Sequence, residues 1–416
     1  MTAAALPQGV QLTPFDESFR EDPYPILHEL RERAPIHRDA ELGRWVLTRH
    51  GDVEHVLRHK EFCVDPRKSN PDAYHQIFRP ADGEEPSMLF LDDPEHARLR
   101  RLVSRAFTPR AIQEMRPRVR TLARELLSAA EPDADGEIDV MAALAEPLPA
   151  IAIAIMLGVD AADQQQFKSW SEASNEAFFN PFAGPEDQAR GLAASEALSR
   201  YFEEEIEKRR SEPRDDLIGR LCAVRDEDGD NAGGQPGDRL SDGEIVSMCN
   251  LLLIAGNVTT TDLIGNGVKA LVGHPSQQEK LRADRERIPN AVEEMLRFDS
   301  PVLTSARIAP YDFELGGVGI AKGDTIMTVL GAANRDPTIY PEPDRFDIER
   351  QDTHHQSFGG GTHLCLGAHL ARLEAQEAFA ALLDRFSMLE PGKRPHVYRR
   401  VPSFRGLQQY WVRASS

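Results

Sequence analysis

Four segments of the chain carry side chains whose types and spacing could do chemistry. The most telling is Phe358-Gly-Gly-Gly-Thr-His363-Leu-Cys365-Leu-Gly367. Three glycines lead into a lone cysteine, and a helical apolar pattern then runs through Leu370 and Leu373 to about Leu383. Cys365 is therefore expected where a permissive loop becomes the first turn of a helix. Backbone N–H groups without helical partners face a sulfur placed there, and the helix dipole favours negative charge. Both effects are expected to lower the thiol pKa toward thiolate, the form that binds metals. Gly367 clears a side chain from the loop, as a flat group lying against it would need, and Phe358 can shield the sulfur. Taken alone, Gly-Gly-Gly before Cys also fits a tight turn around a buried structural cysteine.

The second segment, Asp93 to Val103, puts His96 and Arg100 four residues apart on one helical face. The third is Ala255-Gly256-Asn257-Val258-Thr259-Thr260. Glycine and β-branched residues are poor helix formers, and a threonine hydroxyl can bond the carbonyl one turn back and bend the helix. A small-residue packing notch would look the same. The fourth pairs Glu294 with Arg297 three residues on, a contact of little value on a surface. Arg307 and Arg345 follow it. His354, His355, His363 and Cys365 are zinc-ligand types at poor spacing. The acidic run from Asp226 to Asp238 lacks the glycine and glutamate positions of a calcium loop and reads as a solvated surface loop.

Phe358, Gly361, Cys365 and Gly367 together resemble the heme-binding loop of the cytochrome P450 family. His-x-x-x-Arg, the long helix with threonine, Glu-x-x-Arg, the late arginine and the Cys loop occur in that family's order, so the resemblance spans nearly the whole chain. It implies one mainly α domain with a small β region over residues 1–416, with 1–22 an irregular lead-in. In that triangular prism, heme b lies between a long central helix and the helix after the Cys loop. The resemblance further implies that Cys365 is the axial thiolate ligand, which pushes electron density onto the iron and favours O–O cleavage. His96, Arg100, Arg307 and His363 would hold the propionates, with Phe358, Gly361, Gly367 and Ala255 against the cofactor. Gly256, Asn257, Thr259 and Thr260 would form the oxygen-binding groove, Thr259 orienting dioxygen and water. Glu294, Arg297 and Arg345 would form a buried triad fixing the Cys loop.

The implied reaction is monooxygenation: one oxygen atom of dioxygen enters an unactivated C–H bond of a small to medium apolar substrate and the other leaves as water. Phe90, Phe179, Phe182, Leu252, Val302, Leu303, Thr304 and Leu407 are expected around that substrate. One position departs from the family. The acid before Thr259 is replaced by Val258, which cannot relay protons, so these must come through Thr259, Thr260, water or another polar group. Asn257 and Asp262 are near in sequence. The departure leaves open a peroxygenase driven by peroxide. A non-catalytic heme or ligand-binding protein is the alternative of a different class.

No flavin or ferredoxin domain fits in 416 residues beside the heme domain. Electrons are therefore expected from an iron–sulfur ferredoxin and its reductase. Residues 98–124 hold nine arginines and one acid, Glu114. Arg101, Arg105 and Arg110, with Arg372, are expected to face that acidic partner; a solvated basic face is the plainer reading. The net charge of −19 argues against nonspecific nucleic-acid binding.

The elements that must position these residues follow from pattern. Ser241-Asp-Gly-Glu244 is a capping box, and the helix it starts runs to about Val272, uncharged from Ile245 to Thr261 and so buried in its middle. Further helices are expected at 23–34, 52–57, from 93, 110–130, 140–158, 161–178, 186–211 and 290–297. Strands are expected around Ile36–Asp39 with Trp45–Thr48, over Phe313–Ile320 and Thr325–Leu330, and from Val397 to Val412. The segment 63–90 has no period, and a loop that long is usually functional. The chain reads as a cytoplasmic monomer: four cysteines without a Cys-x-x-Cys pair, no signal peptide and no membrane span.

Overall fold

The computed structural model describes residues 6–80, 87–160, 162–179, 184–224 and 239–415. The Asp226–Asp238 segment and Phe182 lie outside the described residues. The helices are α1 (Glu17–Glu21), α2 (Tyr24–Arg33), α3 (His50–Arg58), α4 (Glu95–Ala106), α5 (Pro109–Ala129), α6 (Pro147–Leu157), α7 (Gln164–Phe179), α8 (Pro185–Ser211), α9 (Leu217–Ala223), α10 (Asp242–Gly273), α11 (Pro275–Ala283), α12 (Ile288–Phe298), α13 (Leu330–Ala333) and α14 (Ala368–Arg385). The strands are β1 (Ile36–Asp39), β2 (Arg44–Leu47), β3 (Glu137–Asp139), β4 (Thr304–Ile308), β5 (Phe313–Leu315), β6 (Val318–Ile320), β7 (Thr325–Val329), β8 (Met388–Pro391), β9 (Val397–Tyr398), β10 (Leu407–Gln409) and β11 (Trp411–Ser415).

α10 starts as its capping box requires: Glu244 N donates to Ser241 Oγ at 3.2 Å and Ser241 N donates to Glu244 Oε2 at 2.8 Å. Its apolar residues on several sides join one large core. Ile245, Cys249, Leu253, Ile264 and Val268 are fully buried among α5, α6, α12 and α14. A helix apolar all round must be enclosed. Gly267 marks the tightest contact, where an added Cβ would come 2.5 Å from Phe379 of α14 and 2.7 Å from Met295 of α12. α6 is likewise apolar and stops at Gly158, whose φ of 88° is the left-handed conformation that suits glycine.

The small β region sits beside this helical body. β1 and β2 form the expected antiparallel hairpin, β7 joins β2 in parallel and β4 pairs antiparallel with β7, in the order β1-β2-β7-β4. Phe313–Ile320 is a two-stranded hairpin, β5 with β6. Val397–Val412 breaks into β9, β10 and part of β11, with β11 between β3 and β8. Between residues 63 and 80 and at 88–90 the loop contains short 3-10 turns.

Candidate active site

The loop before Cys365 is locked to α12 by polar side chains. Asn334 Nδ2 donates to Ser300 Oγ at 2.7 Å and to Ser357 Oγ at 2.9 Å, and Ser357 Oγ donates to Leu296 O at 2.7 Å. Gly361 has a φ of 68°, and a Cβ there would meet the Leu57 carbonyl at 2.5 Å, so the loop turns hard against the end of α3. Cys365 N closes the turn on Phe358 O at 3.0 Å. The Arg372 guanidinium lies 4.4 Å from the Phe358 ring centre.

Cys365 is exposed. The protein around the thiol raises its pKa by removing it from water, and this outweighs the Gly367 and Ala368 N–H groups and the Arg100 and Arg372 charges, all of which pull it down. The helix-start contribution expected from the sequence is present; desolvation wins over it. Helix α14 begins at Ala368 with Gly367 as its N-cap, and at Gly367 a Cβ would meet nothing within 4 Å.

A second open face lies in the middle of α10. Ala255 is exposed, Gly256 and Thr259 are half-buried, and a Cβ on Gly256 would meet nothing within 4 Å. Thr259 Oγ1 donates to Ala255 O at 2.9 Å, the back-bond expected from the sequence. Asn257 and Thr260 are buried away from this opening. Val258 is half-buried.

The predicted propionate ligands gather. The His96 and His363 rings lie 4.0 Å apart, centre to centre. Arg100 Nη2 donates to Leu364 O at 2.7 Å. Arg307 is buried with neutral partners, Ser305 Oγ and Ala306 O. Burial holds Arg307 down at about 10. Burial and then the charges of His96, Arg307 and Arg100 push His363 down to about 3. Asp92 and Asp93, at the His96 end, are the acids that act on this cluster. A buried arginine without a carboxylate is costly unless an anion completes the site. The donor set therefore fits a dianionic flat cofactor with a soft ligand, as heme b would be.

The buried triad is corrected in one member. Arg297 Nε donates to Glu294 Oε2 at 2.7 Å, both side chains fully buried. Arg350, not Arg345, is the third member: its Nε is 3.3 Å from Glu294 Oε2. Arg345 turns outward to Glu342 and Asp347 and lends only its backbone carbonyl, which accepts from Arg297 and Arg350. Sequence reasoning also missed Asn334 and Ser357, which carry no motif, and the burial of Asp262.

The remaining predictions divide. Phe90 stacks on Phe78 at 5.2 Å, and Leu252 is buried on α10. Phe179 ends α7. Leu303 is corrected: just before β4, it packs with Leu12, Tyr24 and Val329 in the N-terminal cluster, against Gly331 at the start of α13. Thr304 borders a small surface indentation with Leu12, Thr13 and Tyr74. Val302 packs toward the cluster of Leu47 and Val53, and Leu407 packs against α10 near Gly265. Arg372 is also corrected as a docking residue. It forms two hydrogen bonds to Glu293, at 2.7 and 2.8 Å, and so ties α14 to α12. Arg110 pairs with Glu114 at 3.1 Å, and Arg116 and Arg120 share Glu377. Arg101 is exposed and Arg105 half-buried on α4.

The family described as Cytochrome P450 matches residues 41–402. The chain is 37% identical to the cytochrome P450 monooxygenase PikC of Streptomyces venezuelae, over 98% of this chain and 95% of that protein. It is 40% identical to the vitamin D(3) 25-hydroxylase of Pseudonocardia autotrophica, over 95% of this chain and 94% of that protein. Among solved structures, the cytochrome P450 PksS of Bacillus subtilis superposes with a TM-score of 0.85 at 35% identity, covering 97% of this chain and 99% of that one. CYP109E1 of Bacillus megaterium in complex with corticosterone superposes with a TM-score of 0.84 at 33% identity, covering 96% and 100%.

Proposed function

The chain belongs to the cytochrome P450 family and is a heme b monooxygenase, and from that premise we propose that it hydroxylates a small to medium apolar substrate with electrons from an iron–sulfur ferredoxin and its reductase. One observation carries the site assignment: beside the exposed Cys365, the His363 ring of the same loop stacks on His96 of α4, where Arg100 also lies, and Arg307 of β4 acts on the same cluster. Cys365 would supply a thiolate ligand to a bound heme, His96, Arg100, Arg307 and His363 would hold its propionates, Gly361 lets the loop turn against α3, and Gly367 would leave room for the flat ring. When bound, the heme supplies dioxygen activation and C–H oxidation.

The protein's own contribution is positional. Thr259 spends its hydroxyl proton on Ala255 O, so its lone pairs remain to accept a hydrogen bond from water in the groove. Ala255 and Gly256 leave room beside it. Glu294, Arg297 and Arg350 hold the backbone beneath the Cys loop, and Asn334 and Ser357 hold its start. Leu252 and Phe90 border the substrate. CYP109E1 in its complexes with testosterone and corticosterone, and a relative named for vitamin D(3), support a substrate of steroid size. Among the described residues no helix is long and apolar enough to cross a membrane. The four cysteines are free, which supports work in a reducing compartment such as the cytoplasm.

The test is the absorption spectrum of reduced, heme-loaded protein under carbon monoxide. A strongly red-shifted Soret band that Cys365→His abolishes is the expected result; a band at the position of histidine-ligated heme in the native protein would sink the assignment. Val258 favours a second reading, oxidation driven by peroxide. Product formed with hydrogen peroxide, and none with dioxygen and a ferredoxin system, would select it.

A further inference from the structure

Between Ile245 and Thr261 helix α10 carries no charged residue; the next is Asp262. Its side chain is fully buried, and neither carboxylate oxygen has a hydrogen-bond partner. One turn on, Asn266 Oδ1 is also buried without a donor, while its Nδ2 donates to Arg405 O and Asp299 O at 2.8 and 3.2 Å. Three buried acceptor atoms thus lie one helical turn apart with no hydrogen between them. An ionised carboxylate left this way is expensive. A protonated carboxyl is a donor, and one proton on Asp262 supplies a hydrogen to this row.

The surroundings define where that proton can come from and go. The carboxyl presses on the Gly406 backbone, where no side chain would fit. Arg399 Nη1 stands 3.7 Å from Asp262 Oδ1, short of a hydrogen bond. Its Nη2 donates to Glu146 Oε1 at 3.1 Å, and the Glu146 side chain is 38% exposed. Glu146, at the start of α6, is the outer end of a line that passes Arg399 and ends at Asp262. Asp299, at the end of α12, is the other charge acting on Asp262 from an adjacent element. Toward the groove, Thr259 lies three residues back on the same helical face, about 4.5 Å along the axis. Burial pushes Asp262 up to about 7; Arg399 draws it down, and Glu146 and Asp299 push it further up.

We propose that Asp262 is the internal proton store of the oxygen-binding groove, protonated in the resting enzyme, supplying Thr259 through an intervening water and reloaded from solvent by way of Glu146. The inference rests on the reading of Thr259 as the groove's hydroxyl. Monooxygenation consumes two protons and two electrons per dioxygen, RH + O2 + 2 e− + 2 H+ giving ROH + H2O. The ferredoxin supplies the electrons. Asp262 gives up its O–H proton to water, that water passes a proton to the Thr259 hydroxyl oxygen as Thr259 releases its own hydrogen from Ala255 O into the groove, and the carboxylate left behind takes a proton from solvent water entering past Glu146. Arg399 keeps its charge throughout and holds the transient carboxylate. Asp262 acts through Thr259 and does not itself reach the reacting atoms.

The test combines infrared titration with turnover. In heme-loaded protein a protonated-carboxyl stretching band should disappear with a midpoint near neutrality and be absent from Asp262→Asn. Arg399→Gln should move the midpoint to higher pH, because it removes the charge that pulls the group down. With a plant ferredoxin and its reductase as electron source, Asp262→Asn should at least double the hydrogen peroxide released per electron pair, with a changed pH profile that Asp262→Glu restores. No titrating band, or a band unmoved by Arg399→Gln, overturns the proposal even if Asp262→Asn fails to fold. A titrating band with unchanged peroxide release and pH profile in Asp262→Asn overturns it as well, since the acid would then be structural. Thr259→Ala separates the underlying reading: unchanged peroxide release in that variant, with the Asp262 band intact, removes Thr259 as the recipient.

Discussion

Arg350 Nε lies 3.3 Å from Glu294 Oε2, with 11% of the arginine side chain and none of the glutamate exposed. Arg345, five residues earlier, has 55% of its side chain in solvent and pairs with Glu342 and Asp347 at the surface. Arg350 also donates to the carbonyls of Pro341, Glu342 and Arg345, so it clasps the whole turn that precedes the Cys loop. Arg350→Ala leaves Glu294 with Arg297 as its one remaining arginine and should cost about 3 kcal/mol of stability. Arg345→Ala should cost at most about 1 kcal/mol. Urea unfolding of the two variants checks the order, and equal losses would return Arg345 to the triad.

The neighbouring carboxylate, Glu293, gives the fold an acid limit. Burial pushes its pKa up, but hydrogen bonds from Arg372 and His355 outweigh burial and hold it at about 2, against 4.5 for the free side chain. The folded value is the lower one, so the unfolded chain binds more protons in this interval. The stabilisation is complete above pH 4.5 and is lost as pH falls toward about 2. Its full size is about 3 kcal/mol before solvent screening reduces it. Denaturant midpoints measured at neutral pH and inside that window should converge in Glu293→Gln relative to the native chain.

How far the site could be seen in advance depended on whether a local rule decided each residue. The α10 helix was legible because a capping box and a 17-residue uncharged run leave no alternative to a buried helix. The back-bond of Thr259 followed from a threonine one turn after a carbonyl in a weak helical stretch. The choice of Arg350 over Arg345 was not legible, since both follow the same turn and only the path of the backbone decides which points inward. There, Asp347 N donates to Glu294 Oε1 and turns the segment so that Arg345 faces out. Leu303 failed for a similar reason: it lies in the irregular stretch before β4, and only tertiary contacts with Ser403 and Gly331 decide which way it packs. The thiol of Cys365 was misjudged in sign because dipole and backbone donors are local, whereas desolvation depends on the whole fold. The arginine-rich stretch looked like a free basic face because its counter-charges, Glu377 and Asp384, are some 260 residues away in sequence. The short helices α9, α11 and α13 lacked enough turns to show a period.

Arg307 should separate the stability of the empty protein from that of the loaded one. It is buried, its hydrogen-bond partners are neutral, and burial alone draws it down to about 10. Arg307→Leu removes a buried charge and should leave heme-free protein as stable as before or more so. The same change removes a charge-assisted hydrogen bond to a propionate, about 1.5–3 kcal/mol, and should speed heme loss roughly tenfold to hundredfold. Melting of the apoprotein and heme transfer to an excess of acceptor protein read the two effects separately. A variant that melts early without heme and keeps heme normally would place Arg307 in the scaffold and not in the pocket.

Gly256 and Gly267 sit eleven residues apart on α10, and alanine should act on them in opposite ways. At Gly256 the added methyl meets open space, so Gly256→Ala should gain helix propensity, up to about 1 kcal/mol. At Gly267 it meets Phe379 at 2.5 Å and Met295 at 2.7 Å, and Gly267→Ala should lose about 1–3 kcal/mol through overpacking between α12 and α14. Function should run against stability at Gly256, because the space its Cβ would enter is the groove beside Thr259. Gly256→Ala should therefore melt higher than the native chain while releasing more peroxide per electron pair. Since the methyl is too small to block a steroid-sized substrate, binding measured by the spin shift should change less than coupling. A Gly256→Ala protein that is less stable than native would mean that the opening on α10 is closed by packing, and that the oxygen groove lies elsewhere on the helix.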